Sequence, residues 1–128
     1  MQLVCCNGVR SPLKPIKYGV PQGSILGPLL FILFINDLPN VSSSLFFILF
    51  ADDTNVFNSH SSLETLIDHT NTELEKVAEW FRVNKLTLNL DKTNYILFRS
   101  YKKPAPARSP NIVIMGTQIT QVKSCTFL

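Results

Sequence analysis

Between Arg82 and Leu128 the chain has almost no acid: Asp91 stands alone against eight bases. Residues 1–81 show the opposite bias, with eight acids and four bases, so a net charge of +3 conceals a front part at −4 and a back part at +7. The basic back part fits a polyanion partner such as nucleic acid, and equally an ordinary solvated basic face. Charge is scarce altogether, at 16% of residues, which excludes a disordered or coiled-coil composition. Cysteine is scarce too. Cys5 and Cys6 are adjacent and Cys125 is remote, giving neither a disulfide framework nor the C-x-x-C spacing of a zinc site. This favours a reduced, intracellular setting, either nucleus or cytoplasm. A basic segment followed by a long apolar core is missing from the N-terminus, so no signal peptide is expected. The apolar runs Ile25–Ile35 and Leu45–Ala51 fall short of the roughly 20 residues that span a bilayer, and no membrane partner is expected. Repeats and low-complexity tracts are absent. His60 and His69 are nine positions apart, without helical metal-binding spacing or a Cys/His companion, and take no role.

What the chain does have is apolar surface. Hydrophobic residues make up 45% of 128 residues, and mean hydropathy is +0.16. The length suits one domain with one core. The surplus of apolar over polar residues points to a piece of a larger body, with faces meant for partners outside these residues and poor solubility alone.

Residues 1–18 read as a β-hairpin, with Gln2–Cys6 going out, Asn7-Gly8 as the turn, and Pro12–Tyr18 as an edge-like return. Residues 19–38 read as a Gly/Pro-rich loop and a helix that Ser24 caps, Pro28 tolerates in its first turn, and Asn36-Asp37-Leu38-Pro39 ends. Apolar positions fall all round that helix, so it should be buried on most sides. Leu45–Phe50 reads as a buried strand, Ala51-Asp52-Asp53 as a tight turn and Thr54–Asn58 as the return, a hairpin over 45–58 with two aspartates at its tip. Ser61-x-x-Glu64 is a capping box, and Leu63, Leu66, Ile67, Thr70, Leu74, Val77 and Phe81 form a helical stripe. The spacing predicts an amphipathic helix over 61–83 with Asp68, Glu73, Glu75 and Glu79 on its wet side. Residues 84–128 read as a basic, β-rich segment: alternating Lys85–Leu90, a strand Asn94–Arg99, a Pro-rich loop over Tyr101–Pro110, and a hairpin of Ile112–Met115 with Gln118–Val122. The fold class is α+β, an antiparallel sheet with two main helices on one face.

Two adjacent carboxylates after a six-residue apolar run are costly unless a cation meets them. Asp52 and Asp53 can hold Mg²⁺, a hard ion that takes one or two carboxylates plus substrate phosphates, and paired ions can clamp both oxygens of a phosphoryl transfer. Adjacent aspartates on an idle surface turn are the plain alternative. In the Gly19–Ser24 loop, Gly19 and Gly23 permit close backbone approach, Pro21 stiffens, and Gln22 offers an amide suited to a sugar or base. A simple turn before a helix remains open. Lys92, in Asn89-Leu90-Asp91-Lys92-Thr93, can approach a phosphate or give a proton, or be an ordinary surface lysine.

The run from Tyr18 through Gly-Val-Pro-Gln-Gly-Ser-Ile-Leu-Gly-Pro to Asn36-Asp37-Leu38-Pro39, then Phe50-Ala51-Asp52-Asp53-Thr54, closely resembles the reverse-transcriptase domain of non-LTR (LINE-type, Jockey-like) retrotransposons. Trp80-Phe81, Asn84-Lys85-Leu86, Asn89–Thr93 and Val122–Leu128 extend the resemblance over nearly the whole chain. It implies an incomplete polymerase palm. Asp52 would be the metal-binding carboxylate and Asp53 a weaker ligand. Gly19, Pro21, Gln22, Gly23 and Ser24 would contact template and incoming nucleotide, and Lys92 would assist pyrophosphate departure. The implied partners are an RNA template, a DNA primer, deoxynucleoside triphosphates, and the fingers and thumb of a complete enzyme. The implied cofactor is Mg²⁺ or Mn²⁺, expected only with a third carboxylate and substrate. The family carries that carboxylate on a strand that would precede Met1, where residues 1–18 hold no acid. The expectation is therefore a polymerase fragment inactive alone. The alternatives are a non-catalytic relic, at most a basic nucleic-acid-binding module, and a true start upstream of Met1.

Overall fold

A computed structural model describes residues 1, 3–15, 19, 20, 23–100, 102 and 110–125. The chain divides into two units, Met1–Ile35 and Asn36–Leu128.

In the first unit Asn7-Gly8 makes the expected turn, with φ of 49° and 80°, the sign pattern Asn-Gly favours in a two-residue hairpin loop. So tight a turn places Cys6 opposite Val9. The strands are β1 (Cys5–Cys6) and β2 (Val9–Arg10), antiparallel, with Cys5 opposite Arg10. The return therefore starts three residues before the expected Pro12, and Pro12, Leu13 and Pro15 lie outside it. Residues 16–18 of that arm lie outside the described residues. Helix α1 spans Leu26–Ile35. Ser24 caps it as expected, its Oγ accepting the Gly27 N–H at 3.1 Å. Gly27 makes room for this contact, since a Cβ there would stand 2.9 Å from Ser24 Oγ. The expected burial of α1 is overturned. Leu26, Leu29, Leu30, Ile32, Leu33 and Phe34 are exposed, Leu33 to 65%, and Ile35 alone among its residues is buried. Apolarity on every side states how much cover a helix needs, and the described residues do not supply it.

The second unit opens with a 3₁₀ turn, η1 (Leu38–Val41), carrying the fully buried Leu38. Strands β3 (Phe46–Phe50) and β4 (Asp53–Phe57) pair antiparallel in the expected hairpin, with Phe50 opposite Asp53. Only one face is covered: Phe47 and Leu49 are half-buried, while Phe46, Ile48 and Phe50 are exposed. The buried strand of the sequence reading is thus half wet, because two strands alone cannot cover both faces of a ladder.

Helix α2 runs Leu63–Val83, as its stripe dictates. Ser62 rather than Ser61 holds the N-cap position, its side chain makes no capping bond, and its N–H goes to His60 Nδ1. Glu73, expected in water, is buried at 6% exposure; it lies four residues before the buried Val77 and so on the edge of the same stripe. The core beneath α2 joins Leu74 and Ala78 to Ile112, Ile114 and Ile119, with Ile67, Leu88, Leu90 and Tyr95 against it.

Residues 84–128 differ from expectation in pairing more than in pattern. Leu86, Leu88 and Leu90 alternate inward, yet no ladder forms there. The strand expected over Asn94–Arg99 shortens to β5 (Asn94–Tyr95). Strands β6 (Val113–Ile114) and β7 (Thr117–Gln118) form the hairpin around Met115-Gly116. Ile119 then turns into the core at 3% exposure, and β8 (Thr120–Gln121) runs parallel beside β5. The described strands make separate two-stranded ladders, one of them parallel, rather than a single antiparallel sheet. The mixed class is as expected, and α2 packs on β6.

Candidate active site

The two aspartates occupy the tip of the β3–β4 hairpin. Register leaves Ala51 and Asp52 as its loop, and Asp53 is the first residue of β4. Ala51 adopts φ 50°, a left-handed conformation that costs a residue with a Cβ about 1 kcal/mol or more and turns the chain within two residues. Asp52 and Asp53 are exposed. Asp53 lies opposite Phe50, on the face that also carries Phe46, Ile48 and Phe57. Phe46 and Phe57 meet across the ladder at 6.1 Å between ring centroids. The tip is thus a pair of solvated carboxylates on an apolar stem, chemically suited to a hard divalent cation. Among the described residues, no group of three His, Cys, Asp or Glu gathers to make a fuller site.

The base of the hairpin is tied down. Asn58, just past β4, donates through Nδ2 to Thr70 Oγ1 at 2.9 Å and meets His69 Nδ1 at 3.1 Å, both on α2. Ahead of β3, the buried Ser42 accepts the N–H groups of Ser44 and Leu45 at 3.2 and 3.1 Å. Its hydroxyl also faces Glu73. That carboxyl is held below its ordinary range, first by the Lys76 ammonium at 2.6 Å and then by Ser42, against the opposing push of burial. Glu73 Oε2 nevertheless has no partner of good geometry among the described residues. Sequence reasoning missed both ties; the Asn58 amide and the position of Glu73 beside the stripe were the available signals.

The other expected site residues are distributed. Gly19 and Gly23 adopt φ of 86° and 83°, so the loop needs both glycines, and open space surrounds each. Pro21 and Gln22 lie outside the described residues. Ser24 is engaged as the α1 cap. Lys92 sits exposed in a turn closed by Asn89, whose carbonyl and side-chain Oδ1 receive the Lys92 N–H at 3.2 and 3.3 Å. It belongs to the unit that carries the aspartates; the Gly19–Ser24 loop belongs to the other. A groove in the second unit, about 660 Å³ between Val41, Trp80, Val83 and neighbouring α2 residues, does not include the aspartates.

A tight hairpin with an Asp-Asp tip is common to many proteins, and comparison decides among them. Residues 3–128 match the family described as reverse transcriptase (RNA-dependent DNA polymerase). The chain belongs to that family. It is 29% identical to the RNA-directed DNA polymerase from mobile element jockey of Drosophila melanogaster, over 84% of this chain and 13% of that protein. The jockey polymerase of Drosophila funebris is 27% identical, over 98% of this chain and 14% of the relative. A probable RNA-directed DNA polymerase from transposon X-element of Drosophila melanogaster is 33% identical, over 88% and 12%. These are non-LTR retrotransposon polymerases, as the resemblance over Gly19–Asp53 implied. No solved structure matches the chain. The reverse-transcriptase segment seen here spans about one-eighth of the length of these relatives.

Proposed function

We propose that this chain is part of the palm of an RNA-directed DNA polymerase, and that Asp52 and Asp53 are its metal-binding carboxylates. The observation that carries this reading is their adjacent place at the hairpin tip, Asp52 in the two-residue loop and Asp53 first in β4, after the apolar strand Phe46–Phe50. Their oxygens suit Mg²⁺ or Mn²⁺, with Asp52 the principal ligand and Asp53 the weaker one. When bound, such ions lower the barrier to phosphoryl transfer by stabilising charge on the attacking and leaving oxygens.

The chain's own residues then have defined tasks. The hairpin holds the carboxylates at the end of a stiff stem. Gly19 and Gly23, both left-handed, let the loop backbone approach template and nucleotide, with Pro21 and Gln22 between them and Ser24 anchoring the loop to α1. Lys92, exposed at its turn, meets the departing pyrophosphate as a charge or proton donor. RNA template, DNA primer and deoxynucleoside triphosphates are the partners of the complete enzyme. A two-metal site needs more oxygen ligands than Asp52 and Asp53 offer. The 128-residue chain alone is therefore inactive.

Primer extension tests both statements. A jockey-type polymerase carrying residues 3–128 of this chain in place of its own segment should extend a DNA primer on RNA, and Asp52→Ala should reduce incorporation to background. Undiminished incorporation by Asp52→Ala would sink the carboxylate assignment. Template-dependent synthesis by the isolated chain would sink its inactivity. An inactive chimera that retains salt-sensitive RNA binding would favour a basic binding relic over an enzyme segment.

A further inference from the structure

We infer that Asn58 is a positioning residue, clamping the base of the Asp52–Asp53 hairpin to α2, and that the clamp closes only on neutral His69. Every hydrogen in it has an assigned place. Thr70 donates its one hydroxyl hydrogen to the Leu66 carbonyl at 2.6 Å, so toward Asn58 its Oγ1 can only accept. Asn58 Oδ1 accepts the Ser59 N–H at 2.9 Å. These two contacts fix the amide orientation: rotating it would set Nδ2 against the Ser59 N–H and Oδ1 against an oxygen whose hydrogen is already used. Nδ2 is therefore what His69 Nδ1 meets at 3.1 Å, and Nδ1 must accept. The imidazole then carries its proton on Nε2. Protonation at Nδ1 would place a donor against a donor and open the clamp.

Few other charges bear on His69. On its own helix Asp68 is adjacent, and Glu73, one turn on, is close enough for a charge on His69 to lower its carboxyl. The loop from β4 contributes His60, whose Nδ1 is taken by the Ser62 N–H. Neither η1 (Leu38–Val41) nor β6 (Val113–Ile114), both packed on α2, has a titratable side chain. An imidazolium at His69 thus gains from Glu73 while it loses Asn58. Protonation of His69 would therefore release the base of β4, five residues from Asp53. The bearing on catalysis rests on the polymerase reading above; the clamp does not.

Amide hydrogen exchange of the 128-residue chain, corrected for intrinsic rates, tests the clamp without any activity measurement. Between about pH 8 and 5.5, protection of the β3–β4 amides should fall roughly three- to tenfold, the equilibrium weight of about one net hydrogen bond. The β6–β7 amides should not respond. His69→Gln should abolish the pH response. Asn58→Asp should reverse it, because a carboxylate accepts from the imidazolium. A wild-type response surviving in His69→Gln, or an Asn58→Asp variant that follows wild type, would overturn the clamp. Should either variant fail to fold, ¹⁵N shifts of wild-type His69 still decide: the neutral ring must be protonated at Nε2, and an Nδ1–H tautomer refutes the assignment.

Discussion

Glu73 is the residue at which sequence pattern and structure part most sharply. The helical spacing predicts it in water with Asp68, Glu75 and Glu79, yet it is buried beside Ser42 with Lys76 as its ion partner. Its carboxyl is lowered from an ordinary 4.5, chiefly by Lys76 and then by Ser42. A folded carboxyl that binds its proton less tightly than the unfolded one stabilises the fold above the ordinary value. That contribution is lost as pH falls below 4.5 through the lowered folded value. The urea midpoint of the wild type should therefore decline as pH falls below about 4.5. Glu73→Gln should flatten that decline, and an unchanged slope would show that Glu73 is not coupled to folding. Glu79 is lowered and Arg82 raised, each held charged by the other, but their pairing is exposed and solvent screens it. Replacing Glu79 should leave the slope nearly as it was.

At the scale of elements, α2 organises the second unit. Leu74 and Ala78 meet Ile112, Ile114 and Ile119 beneath it, and Asn71 imitates a strand neighbour, donating to the Asn111 carbonyl and accepting the Val113 N–H, each at 3.0 Å. Leu74→Ala should cost about 2–5 kcal/mol, the usual range for emptying a packed leucine site, read from chemical denaturation. A loss below about 1 kcal/mol would mean that the cluster is not the core. Much of this level was legible in sequence. The α2 stripe, the Asn7-Gly8 turn, the Ser24 cap and the Asp-Asp hairpin each follow from local chemistry. What was not legible depends on partners. Alternation of Leu86, Leu88 and Leu90 fixes which side chains turn inward, but a ladder needs a neighbouring backbone at the right height. The same limit applies to the site: the hairpin tip could be read from Phe50–Asp53, whereas the tie from Asn58 to His69 joins elements that no local pattern connects.

For the whole molecule, apolar exposure is the dominant fact. In the first unit it lies along α1, and in the second on the open face of β3–β4, where Phe46 is 65% exposed. Surfaces of this kind associate in water. Sedimentation velocity should show self-association rising with concentration, and Leu29→Gln with Leu33→Gln should reduce it. A wild-type chain that stays monomeric at high concentration would contradict the expectation. A polymerase segment that spans about one-eighth of its relatives' length accords with unmet cover of this size.

The hooks of α2 also imply an order of events as the chain folds. Asn58 lies 11 and 12 residues from His69 and Thr70, whereas Asn71 must wait for partners 40 and 42 residues away. Closing the longer loop costs about 1 kcal/mol more chain entropy, nearly two doublings of length. The hairpin that carries Asp52 and Asp53 can therefore fasten to the first half of α2 before the C-terminal strands arrive. Its carboxylates would then be among the earliest features of the second unit to find their place.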